Sequence, residues 1–117
     1  MSELRKGFEG LVKFYEIAIV QCRPRGDGYF GKLSSREKSH LQRILTDSIR
    51  IFEKYSLSQR ANKYVSNFNM NGKNLLDLFS SKSRSNGETY FESRNQLMTE
   101  NYLVECKSAL RFLYEII

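Results

Sequence analysis

Four cations recur between residues 36 and 54 at intervals of seven, seven and four: Arg36, Arg43, Arg50 and Lys54. On a helix of about 100° per residue they fall within about 40° of one another, in a row about 27 Å long. Guanidinium suits phosphate, because its planar fork donates paired hydrogen bonds and is less strongly hydrated than an ammonium group. Such a row can follow successive backbone phosphates without reading bases. The competing account is an ordinary solvated helix face, in which Asp47 pairs with Arg43 or Arg50. His40 lies at the edge of the group.

The stretch "QCRPRGDGYFGKLSS", residues 21–35, leads into that row and carries the only proline and three of the seven glycines. It adds Arg23, Arg25 and Lys32, and its glycines allow backbone amides to approach a phosphate closely. Tyr29 is the ring placed to stack on an unpaired base. A plain connector whose aromatics cap the edge of the core is the alternative. A second polar stretch, "SSKSRSNG", supplies Lys82 and Arg84 among hydroxyls. Loop composition explains it equally well. The "RGD" triplet is too short to argue for adhesion.

Groups for catalysis are sparse. The single histidine, His40, allows no histidine pair and no HExxH. "GDGYFGK" lacks the phosphate-loop spacing and is followed by Leu33. Arg36 and His40 are separated by three residues, whereas helical ribonucleases of the HEPN type place four to six between them. Carboxylates are scattered rather than paired on an apolar helix face, so no di-metal bundle is expected. No enzyme activity, cofactor, metal site or small-molecule substrate is expected. Cys22 and Cys106 form no CxxC and are expected as buried, reduced thiols.

The elements that position these groups are helical. Leu4, Phe8, Leu11, Tyr15, Ala18, Ile19 and Cys22 make one stripe over residues 3–22. Phe14 and Ile17 lie off that stripe, which places them either centrally in a bundle or at a protein interface. Ser34 and Glu37 form a capping box before a helix running to about Tyr55, with Leu41, Ile44, Leu45, Ser48, Phe52 and Tyr55 inward. Ser56 and Gln59 form a second box, opening a shorter helix that stops near Asn71 and Gly72. Residues 73–80 make a short helix or turn. Helix resumes from Thr89, with a possible break near Thr99, and Met98, Tyr102, Cys106, Ala109, Leu113 and Ile116 face inward. The apolar end "RFLYEII" packs into the core, docks on a partner or continues into a longer polypeptide.

The 117 residues suffice for one domain with a real core. An all-α, compact bundle of four to five helices over residues 1–117 is the expected fold. The longest apolar run is four residues, Ile17–Val20, so no membrane span is expected and a cytoplasmic protein is the default. Net charge is +6, unevenly distributed. Residues 1–87 hold 16 Lys/Arg against 8 Asp/Glu, whereas residues 88–117 hold 3 against 5. A basic body with an acidic last helix favours a polyanion on one surface.

These observations point to a non-catalytic accessory protein that binds the phosphate backbone of RNA or single-stranded DNA beside other protein subunits. Small helical subunits of RNA-guided effector complexes are one architecture of this size, fold class and charge. The alternative is a protein-binding inhibitor or adaptor, acting through Phe14, Ile17, Ile116 and Ile117.

Overall fold

Helical periodicity governs most of the chain, and packing between the helices decides where it stops. The computed structural model describes residues 2–21, 29–78, 82–83, 88–92 and 96–116. Four helices carry the fold: α1 (Ser2–Gln21), α2 (Ser35–Glu53), α3 (Gln59–Leu78) and α4 (Gln96–Ile116). Three short strands accompany them: β1 (Tyr29–Ser34), β2 (Lys82–Ser83) and β3 (Glu88–Glu92). α1 packs on α2 and α3 on α4, while α1–α4 and α2–α3 contacts close the ring. None of the described helices is long and apolar enough to cross a membrane.

The core lies inside this ring and is built from Leu11, Phe14, Leu41, Leu45, Phe52, Phe68, Leu75 and Leu113. Phe14, expected either centrally in the bundle or at a protein interface, is 0 % exposed, which favours the central place over the interface. Its ring stands edge-on to Phe68 at 5.8 Å, a geometry that adds about 0.5–1.5 kcal/mol beyond burial. Ile17 is half-buried against the same core. The apolar character of α1 on several sides therefore reflects its central place.

α2 begins as its sequence dictates. The Glu37 amide donates to Ser34 Oγ at 3.0 Å, and the Ser34 amide donates to Glu37 Oε1 at 3.1 Å. Leu41, Leu45, Ser48, Ile49 and Phe52 are then buried on one face. The start of α3 lies later than expected: Ser58, not Ser56, caps it, accepting from the Ala61 amide at 3.1 Å.

α3 also runs past Asn71 and Gly72, where a stop was expected. Both residues are buried, and the Asn71 carboxamide donates to Asn67 O at 2.8 Å within the helix. A Cβ on Gly72 would come within 3.1 Å of Leu45 and 3.3 Å of Phe14. The glycine thus serves close helix packing rather than a left-handed terminus. Thr99 is fully buried inside α4, one continuous helix through the expected break. Met98 and Ile116, expected inward, are exposed.

The small antiparallel sheet, in the order β1-β3-β2, was not expected from periodicity. Glu88–Glu92 form a strand, although helix was expected from Thr89. The end of the glycine-rich segment is likewise a strand rather than a free connector. β1 pairs with β3 through Leu33 opposite Thr89 and Lys32 opposite Tyr90, with a bulge between Tyr29 and Lys32. Leu33 is 0 % exposed and ties this strand to the core. Strand β1 ends at Ser34, which is also the cap of α2, so sheet and helix meet without a linker.

Gly10 tests the α1–α2 packing. A Cβ there would collide with the Ser48 hydroxyl, which donates to Ile44 O at 2.7 Å. Overpacking costs about 1–3 kcal/mol, against a gain of about 1 kcal/mol in helix propensity. Gly10→Ala is expected to lower stability by about 1 kcal/mol net, read by denaturant unfolding. Adding Ser48→Ala should recover most of that loss; a purely additive double variant contradicts this packing.

Candidate nucleic-acid interface

The row on α2 faces away from the core because the buried side of the helix leaves it nowhere else. Arg36, Arg43 and Arg50 are all exposed, opposite Leu41, Leu45 and Phe52. Among the described residues none of the three arginines forms an ion pair, and Asp47 pairs with neither Arg43 nor Arg50. His40 is exposed beside them.

Lys54 differs. It caps the C-terminus of α2, and its Nζ lies 3.8 Å from Glu3 Oε1 at the start of α1. Tyr55 Oη donates to the same carboxylate at 3.0 Å. Both charged side chains are more than half exposed, so the pair is weak and can be exchanged for a stronger anion.

Lys32, Lys82 and Tyr29 lie on strands. In the sheet register Lys32 of β1 and Lys82 of β2 both pair with Tyr90 of β3, one from each side. Two lysines 50 positions apart in the sequence therefore share one cross-strand row. Tyr29 pairs with Glu92 on the other side of the bulge. Lys32 precedes Arg36 by four residues through the cap. Arg23, Arg25, Arg84, Cys22 and Ile117 lie outside the described residues.

Beside the row, the flanks of α2 and α3 leave a cleft that the sequence reading missed. Its larger part, a cavity of about 320 Å³, is lined by Gln42, Leu45, Thr46, Lys73, Leu76 and Asp77. The smaller, of about 150 Å³, is lined by Thr46, Ile49, Arg50, Glu53, Asn69 and Lys73. Thr46 and Lys73 belong to both. Arg50 is thus a member of the row and a wall of the cleft. No local signal marks Lys73, Asn69 or Gln42 for this position, because it arises from the pairing of α2 with an uninterrupted α3.

On the far side of the ring from α2, α4 mixes apolar with charged side chains at its surface. Leu97 (69 %), Val104 (60 %) and Tyr114 (73 %) of α4 are strongly exposed. Tyr64 of α3 stacks on Phe112 of α4 at 4.6 Å, with the Arg60 guanidinium over both rings. Phe8 meets Tyr114 at 6.1 Å. Ile116 is exposed as well.

Comparison with models of protein families, with curated proteins and with solved structures finds no match to this chain. Its own residues are what speak to its function.

Cys106 is buried within α4, and that burial pushes its thiol up to about 12. An unfolded thiol ionises from about 9, so the native state binds the proton more tightly between those values. The resulting contribution to stability is present below pH 9 and lost as pH climbs toward 12. In a Cys22→Ser variant, Cys106 should resist a thiol-alkylating reagent at pH 8 and react fully in guanidinium. Rapid labelling of the native protein would show a reactive thiol instead.

Proposed function

We propose that this chain is a non-catalytic, cytoplasmic accessory protein that binds nucleic acid through its phosphate backbone as part of a larger assembly. One observation carries the reading: three arginines at seven-residue spacing lie exposed along α2 and hold no ion pair among the described residues. A sequence pI of about 9.4 supports it, as does the supply of further cations from the strand that runs into the same helix. Arg36, Arg43 and Arg50 contact phosphates directly. Lys54 joins them by giving up its exposed partner Glu3. Lys32 and Lys82, on the two strands that flank β3, extend the basic surface beyond the start of α2.

Backbone binding has a salt signature. Four phosphate contacts on a single strand weaken association about 50-fold between about 50 and 200 mM salt, through counterion release. Reversing Arg43 and Arg50 to Glu should abolish binding of a labelled oligonucleotide at low salt while leaving helical content unchanged by circular dichroism. Binding that survives this double change removes the row from the site.

A second reading has its own support in the outer side of α4. Leu97, Val104 and Tyr114 present apolar surface that the helical ring does not use, on the part of the chain with an acidic balance. A protein-binding adaptor would use that side, and its affinity would change little with salt. The two readings concern different surfaces, so a subunit of an assembly can employ both.

A further inference from the structure

Seven residues of α-helix fall about 20° short of two full turns, so a row spaced by sevens winds slowly around its own helix. From Arg36 through Arg43 to Arg50 the drift is about 40°. Its direction is toward α3, because Thr46 and Glu53 on that flank line a cavity together with Asn69 and Lys73 of α3. Arg50, last of the three, stands in the wall of that cavity.

The two parts of the cleft differ in chemistry. In the smaller, Arg50 and Lys73 bring two cations to a hydroxyl (Thr46) and a carboxamide (Asn69), against the single carboxylate of Glu53. That is a donor set for one phosphate. The larger part has a floor of Leu45 and Leu76, 2 % and 3 % exposed, edged by the amide of Gln42 and the carboxylate of Asp77. Its volume of about 320 Å³ is at the small end of the range for ligand sites, about 300–1,000 Å³. An apolar floor with a few polar groups at the rim suits a flat heterocycle.

We propose that the α2–α3 cleft seats one nucleotide of a single-stranded nucleic acid, its phosphate between Arg50 and Lys73 and its base on the Leu45–Leu76 floor. The inference rests on the backbone-binding reading of the α2 row and deepens it. It says where the strand leaves the row and which nucleic acid is bound. A duplex holds its bases in the stack, whereas a single strand offers one at no unpairing cost.

The test uses fluorescence anisotropy with a labelled oligodeoxythymidylate of about 12 nucleotides, a length within reach of a small binding domain. An abasic strand of equal length and charge is the second probe. Lys73 is exposed, so Lys73→Ala leaves the core intact, which the thermal midpoint verifies. The variant should flatten the dependence of log affinity on log salt by about 0.7–1, one phosphate contact. The abasic strand should bind the wild-type protein several-fold more weakly than oligodeoxythymidylate. An unchanged slope for Lys73→Ala, or equal binding of the two strands, overturns the cleft while leaving the row in place, provided that Arg43→Glu/Arg50→Glu still loses binding. Failure of the wild-type protein to bind either strand at low salt overturns the row and the cleft together.

Discussion

Burial of Leu41, Leu45, Ile49 and Phe52 sets the rotation of α2 about its axis, and the basic surface follows from that rotation. The four side chains are each at most 7 % exposed, and truncating a buried leucine of this kind costs about 2–5 kcal/mol. Turning the helix to hide its arginines would expose all of them at once. Three guanidinium groups are thereby held in water at no cost to the core. The neighbours help by staying small: Gly10 of α1 lies against Ser48, and Gly72 of α3 against Leu45. Close approach on both sides keeps α2 from rolling.

What could be read from the sequence was local. The Ser34–Glu37 box lies within four residues, both of its hydrogen bonds form, and the face of α2 behind it was legible for the same reason. The arginine row follows from that face. Long-range effects were hidden. Asn71 and Gly72 are good helix stops in isolation, but here tertiary packing overrides the propensity: Gly72 is kept in the helix by its contact with Phe14 and Leu45. Residues 88–92, "ETYFE", contain β-forming side chains, yet only their pairing with a strand more than fifty residues earlier makes them a strand. The cleft was invisible for a related cause. It needs α3 to continue through Lys73, and a helix thought to end near Gly72 cannot supply that wall.

α2 holds the exposed row of Arg36, Arg43 and Arg50, while α4, on the other side of the helical ring, holds exposed apolar side chains in Leu97, Val104 and Tyr114. Phe14 belongs to neither surface; it is the centre of the ring, edge-on to Phe68. The proposed function uses this division, with a polyanion on one side and a protein contact on the other. Arg60, a cation on α3, is not part of the basic surface: its guanidinium lies over Tyr64 and Phe112.

The central claim is that the arginines of α2 are free to meet phosphate. At 13.7 kDa the protein suits nuclear magnetic resonance, in which each arginine side chain gives its own Nε–H signal. A single-stranded oligonucleotide titrated at low salt should shift the Nε–H signals of Arg36, Arg43 and Arg50 together, and raising the salt should return them to their starting positions. Shifts confined to α4, or no shift at the three arginines while the strand binds, would contradict the account.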